Sequence, residues 1–350
     1  AWGDVNADGF LDLVVGNVDG SIELYFNQDG GMNRDPSCLA ERSALFGWPG
    51  APKPYYFPDA GDGAALTSLA LADVNQDGYL DAAVGFTYGV NRLYSFDPGR
   101  NCFIRSDWTP DADPATPETD PDYTYDVAWG DIDNDGDLDL AVGNSADQLV
   151  NVASNRDLVY RNVGGRLENQ PYQAIGWQQA GTGEVYGFPT RALAWGDVDG
   201  DGDLDLATAA WSARKLLYRN DGGFLQPSPI WESADSDLSS DITWLDADSD
   251  GDLDLAVANV TLFGGGTRND LYLNDRGVLS PVPDWQTTSV AQTLSIAWGD
   301  VNLDGRNDLV FGNQAAPVEV YPGRQGGTLS LIHISEPTRL LRRSRMPSSA

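Results

Sequence analysis

Six nine-residue segments of this chain place oxygen-bearing side chains at one fixed spacing. They read DVNADGFLD (4–12), DVNQDGYLD (73–81), DIDNDGDLD (131–139), DVDGDGDLD (197–205), DADSDGDLD (246–254) and DVNLDGRND (300–308). Position 1 is Asp4, Asp73, Asp131, Asp197, Asp246 or Asp300. Position 3 is Asn6, Asn75, Asp133, Asp199, Asp248 or Asn302, and position 5 is Asp8, Asp77, Asp135, Asp201, Asp250 or Asp304. Position 9 is Asp12, Asp81, Asp139, Asp205, Asp254 or Asp308. Position 6 is always glycine. Carboxylates at 1, 3, 5 and 9 around a sharp glycine turn suit a hard cation with six to eight oxygen ligands, Ca²⁺ above all; Mg²⁺ prefers a stiffer octahedron and retained waters. Position 7 is Phe10, Tyr79, Asp137, Asp203, Asp252 or Arg306. Such variety assigns its backbone carbonyl, not its side chain, to the ion.

The elements around the loops decide between cation-binding designs. An EF-hand needs flanking helices and a Glu at position 12. Here position 12 is Val15, Val84, Val142, Thr208, Val257 or Phe311. The flanking runs are short and rich in Val, Ala and Leu: LALA, VAW, LAW, ITW or IAW before, and LVVGN, AAVGF, LAVGN, LATAA, LAVAN or LVFGN after. They suit buried strands. A third run carries a tyrosine at a matched place: Tyr25, Tyr94, Tyr160, Tyr218, Tyr272 and Tyr321. A fourth ends near a tryptophan: Trp48, Trp108, Trp177, Trp231 and Trp285. Four strands per unit at a fixed repeat predict an all-β fold of β-propeller blades. Six are visible, at about 1–48, 66–108, 125–177, 190–231, 240–285 and 293–328. The tryptophans that precede the loops (Trp2, Trp129, Trp195, Trp244, Trp298) are expected to pack between blades.

The chain holds 53 Asp+Glu against 21 Lys+Arg, a formal net charge of −32 over 350 residues, and 24 of those carboxylates lie in the six loops. That charge excludes nucleic acid, or an anionic membrane, held by a general basic field. No apolar run reaches the ~18 residues of a membrane helix, so no membrane insertion is expected. Two cysteines exclude a disulfide scaffold and a four-cysteine zinc site. Cys38 and Cys102 fall near the fourth strands of neighbouring blades, paired or free.

These loops, strand ends and repeat length resemble the FG-GAP/VCBS repeat family, the propeller of integrin alpha subunits and of many bacterial secreted proteins. The resemblance covers about residues 1–328. It implies Ca²⁺, up to six ions, bound between the first and second strands of each blade. It also implies an extracellular or cell-surface adhesion or protein-interaction module, with seven blades in the intact protein. Arg306-Asn307 in the sixth loop is a departure from Asp-Leu.

Successive antiparallel strands put the acidic loops and the 3–4 turns at one end of a blade, and the 2–3 loops and 4–1 connections at the other. From position 9 to the tyrosine is 13 residues in blades 1, 2, 4 and 6, but 21 in blade 3 and 18 in blade 5. The insertions lie around 145–156 and 260–268, and long 4–1 segments at 49–65 and 109–123 reach the same face. Trp211, outside both tryptophan series, sits in a 2–3 loop there. Loops on rigid scaffolds carry recognition, so a protein or glycan ligand is expected on this face, with Trp211 contributing.

The alternative is a lectin-like or polysaccharide-active propeller; a third reading is a purely structural one. No separate acid pair stands out, and the only histidine is His333, so the expectation is a non-enzyme. Residues 329–350 change character and resemble translated sequencing-adapter sequence, expected to be a disordered tail. The chain starts inside the repeat, at Ala1-Trp2-Gly3-Asp4, which reads as N-terminal truncation with any signal peptide outside it.

Overall fold

The computed structural model describes residues 1–17, 22–28, 31–34, 65–87, 89–108, 110, 123–145, 156–178, 185–186, 189–261, 266–323 and 332–333. They form six four-stranded antiparallel sheets, each in sequential order. Blade 2 is typical, with strands Ala65–Ala72, Asp81–Thr87, Arg92–Asp97 and Cys102–Arg105. Blades 1 to 4 belong to one compact unit, Ala1–Asp197 with Asp201–Glu232; blades 5 and 6 belong to a second, Val198–Gly200 with Ser233–Ala350.

The apolar second runs are continuous, not alternating, because both faces are covered. The second strands Asp81–Thr87, Asp139–Asn144, Asp205–Ala210 and Asp254–Val260 are buried along their whole length. Within each unit, a face packs on the neighbouring blade, as in sheets covered on both sides. In the first unit, Val14, Leu24 and Phe26 of blade 1 meet Val84, Phe86 and Tyr94 of blade 2. Leu158 and Tyr160 of blade 3 meet Leu93 and Trp108. Val159 and Ile175 meet Leu206 and Tyr218 of blade 4. In the second unit, Ala256 and Leu271 meet Leu309, Phe311 and Tyr321. Five of the six repeat tyrosines are fully buried. Trp108 stands edge-on to Tyr160 at 5.4 Å, and Trp285 to Tyr321 at 5.1 Å.

Two of the five loop-preceding tryptophans show the expected packing, and a third is buried. The indole N–H of Trp129 donates to the Ala70 carbonyl (3.2 Å) and that of Trp195 to Ala128 (3.3 Å), each on the preceding blade; Trp244 is buried. Trp2 (61% exposed) and Trp298 (48%) do not. Trp2 is on the first blade, which has no preceding blade in its unit. Trp298 lies on a first strand, Thr293–Gly299, that is largely exposed.

Trp231 and Trp285 begin their fourth strands, whereas Trp177 starts a separate two-stranded ribbon, Trp177–Gln178 with Val185–Tyr186. Trp48 lies outside the described residues. So do most of the inserted 2–3 loops, 146–155 and 262–265. Cys102 is disulfide-bonded; the chain's other cysteine, Cys38, is outside the described residues. Ile332–His333, inside the segment read as a tail, pairs with Glu319–Val320 as the fourth strand of blade 6. An unpaired blade edge accepts an extended segment through main-chain hydrogen bonds alone.

Candidate metal centres

Each acidic loop is built from its own backbone. The residue at position 4 takes positive φ in all six: Ala7, Gln76, Asn134, Gly200, Ser249 and Leu303. The position 6 glycines follow at φ 84° to 100°. This double left-handed step turns successive N–H groups inward, and the carboxylates cap them. In loop 1, Asp4 accepts from Asp8 N (2.9 Å) and Gly9 N (2.8 Å), and Asp8 accepts from Phe10 N (2.9 Å). The same bonds recur in loop 2 (Asp73 and Asp77), loop 3 (Asp131 and Asp135) and loop 6 (Asp300 and Asp304).

Position 9 ties the loop to the third strand. Asp12, Asp81, Asp139, Asp205, Asp254 and Asp308 are all buried. Asp139 accepts from Ile132 N (3.0 Å) through one oxygen and Asn162 N (2.7 Å) through the other. Asp12, Asp254 and Asp308 repeat this pair of bonds. In Asp12, Asp139 and Asp254 each oxygen keeps a further lone pair, whereas both oxygens of Asp308 also accept from Asn302 (3.3 and 3.4 Å). Burial pushes Asp81, Asp139 and Asp254 up to about 6; nearby carboxylates add to the rise and the backbone donors oppose it.

Three loops gather carboxylate trios whose ligand atoms lie within 4.8 Å of one another: Asp131, Asp133 and Asp139; Asp197, Asp199 and Asp201; Asp246, Asp248 and Asp250. Loops 1, 2 and 6, with Asn6, Asn75 and Asn302 at position 3, form no such trio among the described residues. The donor set fits a hard cation on two further counts. All the side-chain atoms are oxygens. Asp133 Oδ1 and Asp197 Oδ1 are buried with no hydrogen-bond partner, an arrangement that costs free energy unless a positive partner is supplied. Arg161 reaches Asp133 and Arg219 reaches Asp201 Oδ2 at 3.0 Å, partial counter-charges from the neighbouring third strand.

At position 7 the side chains have other duties. Asp137 accepts from Gln76 Nε2 (2.8 Å) and Gly164 N (2.6 Å), Asp203 from Asn134 Nδ2 (2.8 Å) and Gly222 N (2.8 Å), and Asp252 from Arg276 N (2.9 Å). Tyr79 packs on Phe96, Arg306 pairs with Asp304, and Phe10 is exposed. In loop 6, Asn307 Nδ2 donates to the Asp246 carbonyl (3.2 Å), which gives that departure a structural role.

A fourth trio, Asp235, Asp237 and Asp270, lies outside the loops. Asp235 accepts from Tyr272 (2.6 Å), and Asp270 from Asn259 and Gln286 (2.7 Å each). No repeat marks it in the sequence. Sequence reading also missed the asparagine two residues after the tyrosine, in YRNVGG, YRNDGG and YLNDRG; the recurrent spacing was the available signal.

Trp211 is half-buried beside the second strand of blade 4. The Arg191 guanidinium lies 4.3 Å from its ring and 3.4 Å from the ring of Tyr125. Tyr125 and Arg191 are the extra residues at β-bulges in the first strands of blades 3 and 4.

Four-stranded blades, each with an acidic loop between its first two strands, define an acidic-loop repeat propeller. The FG-GAP-like repeat matches residues 4–84, 73–142 and 197–257, more than half of the chain, which therefore belongs to that family. In fold it is similar to crystal structures of BBS1N in complex with ARL6DN, one soaked with lead and one with mercury. Their TM-scores are 0.56 and 0.55 at 13% identity, over 95% of this chain and 80% and 81% of theirs.

Proposed function

We propose that this propeller is a calcium-stabilised protein-interaction module of a secreted or surface protein, with Ca²⁺ in up to six loops and a ligand on the opposite face. The carrying observation is the set of three carboxylate trios on backbone-pinned loops, with orphaned buried oxygens at Asp133 and Asp197. Asp131, Asp133, Asp135 and Asp139, and their equivalents, would hold the ion; when bound it supplies positive charge that offsets repulsion among the carboxylates. Millimolar calcium outside cells suits such sites. No catalytic role is assigned to any residue. Isothermal titration of the calcium-stripped protein tests the metal half. Several moles of Ca²⁺ per chain, with Mg²⁺ far weaker, are expected; no heat from Ca²⁺ at millimolar concentration sinks it.

The interaction half rests on a break in the repeat. At the first-strand bulge, Thr67 of blade 2 and Ser240 of blade 5 donate to carbonyls of the next blade, Thr124 (2.6 Å) and Thr293 (2.7 Å). Blades 3 and 4 replace that hydroxyl by Tyr125 and Arg191, and the stack adds Trp211. Bulges re-aim side chains, and Trp, Tyr and Arg are the residues that dominate interface energies. The BBS1N structures, which hold a protein partner, are in keeping with such use of this fold. Arrays of extracellular proteins and of glycans separate an adhesion module from a lectin. For whichever ligand binds, Trp211→Ala and Arg191→Ala are each expected to weaken it at least ~10-fold, about 1.4 kcal/mol. Folded variants that bind like the parent would remove the stack from the ligand face.

A further inference from the structure

The acidic loop of one blade is finished by the next. Beyond the third strand of blades 3, 4 and 5, the side-chain amide of an asparagine donates to two carbonyls. Asn162 reaches Val74 (2.9 Å) and Leu138 (3.2 Å), Asn220 reaches Ile132 (2.7 Å) and Leu204 (3.2 Å), and Asn274 reaches Val198 (2.8 Å) and Leu253 (3.1 Å). The first carbonyl of each pair is position 2 of the preceding blade's loop; the second is position 8 of the asparagine's own. Its main-chain N–H donates to the position 9 carboxylate of its own loop. One residue thus spans two acidic loops.

Three residues on, a glycine presses against position 3 of that preceding loop. A Cβ on Gly165 would stand 3.1 Å from Asn75 Cα, one on Gly223 2.7 Å from Asp133 Cβ, and one on Gly277 2.6 Å from Asp199 Cβ. All three glycines have φ between 83° and 93°, so a larger residue would meet both strain and collision. Position 3 supplies an oxygen to the proposed ion. Blade 2 has neither device: buried Phe96 stands where the asparagine would be, and its turn closes on itself, with Asp97 accepting from Gly99 N (2.8 Å) and Arg100 N (3.2 Å).

We infer that the Asn-x-x-Gly turns of blades 3, 4 and 5 are positioning elements for the cation loops of blades 2, 3 and 4. Ion binding in one loop and docking of the next blade are therefore a single coupled equilibrium. This rests on the calcium reading above. The turn holds positions 2 and 3 at the geometry the ion needs, so the ion holds the turn in place. Such coupling is reciprocal: whatever factor the docked turn adds to ion affinity, the ion adds to docking.

Hydrogen exchange on the full chain, in saturating Ca²⁺ and in excess EGTA below the melting range, tests this. Chelation should speed exchange at least ~10-fold at 162–165, 220–223 and 274–277 together with the loops, as expected for a coupling of 1–3 kcal/mol, and leave 97–101 of blade 2 unchanged. Conversely, Asn220→Ala should raise the calcium midpoint for protection of 131–139 about tenfold, the lower part of that range, and leave that of 246–254 in place. Gly223→Ala perturbs the same contact from the other side and serves if Asn220→Ala misfolds. Loops that respond to calcium while the three turns do not, or a folded variant with an unmoved midpoint at 131–139, would overturn the inference. Loops that gain no protection from calcium would overturn the metal reading itself.

Discussion

Stripping calcium is expected to lower the melting temperature of this protein by roughly 15–30 °C, and adding calcium back to restore it. The size follows from mass action. A site at a hundredfold excess over its Kd contributes about 2.7 kcal/mol, because the unfolded chain lacks it. The three trios, in loops 3, 4 and 5, then contribute on the order of 8 kcal/mol together. One kcal/mol moves the midpoint of a domain of 150–250 residues by about 2–4 °C. Scanning calorimetry in EGTA and in millimolar CaCl₂ reads the difference. Paired variants separate an ion from simple charge repulsion. Asp133→Asn and Asp199→Asn relieve repulsion, so in EGTA they should match or exceed the parent. In calcium they should lose most of the response of their own loops. Identical melting curves with and without EGTA would end the calcium reading.

Asp157→Asn is expected to stabilise the protein, and by more as the pH rises. Asp157 is buried, accepting from Asn144 N (3.0 Å) and from Thr190 Oγ1 (2.8 Å). Burial pushes its carboxyl up to about 8, despite both donors. A raised folded-state pKa means that the folded protein holds the proton more tightly than the unfolded chain. The stabilisation is fully present below about pH 4, the unfolded value, and is lost as the pH rises through about 8. At neutral pH and above, the group works against folding by on the order of a few kcal/mol.

Two other blades have asparagine here. Asn91 accepts from Phe86 N (3.2 Å) and donates to Thr124 (2.9 Å); Asn269 accepts from Asn259 N (2.9 Å) and donates to Thr293 (3.0 Å). In Asp157→Asn the new amide donates to Thr190, whose hydroxyl turns from donor to acceptor. Urea titrations at pH 5, 7 and 9 in EGTA should show the stability gap between variant and parent widening by a few kcal/mol. A gap that stays constant across that range would show that Asp157 is not held neutral by burial.

The bulge residues show where reading by repeat stops. Thr67, Tyr125, Arg191 and Ser240 occupy equivalent places. An extra residue in one strand cannot be counted before its partner strand is in register, so the Tyr125–Arg191–Trp211 stack is silent in the sequence. Trp211 stood out only as an exception to a series. Trp2 and Trp298 belong to a series yet lie exposed, because a matched position guarantees a matched environment only where the neighbouring strand is matched too.

The acidic loops are legible because their structure is local. The bonds within each loop join residues two to seven apart, such as Asp8 N to Asp4 and Val5 N to Asp12, so spacing alone determined the turn, the oxygen set and the strands on either side. The blade followed from the same arithmetic, as runs too short for helices had to pair with one another. What finishes each site was decided only by the tertiary structure. Asn162 meets Val74 across 88 residues of chain, Asn220 meets Ile132 across 88 and Asn274 meets Val198 across 76. Contacts of that separation depend on blades being packed side by side, and no local pattern encodes which carbonyl will stand opposite which amide.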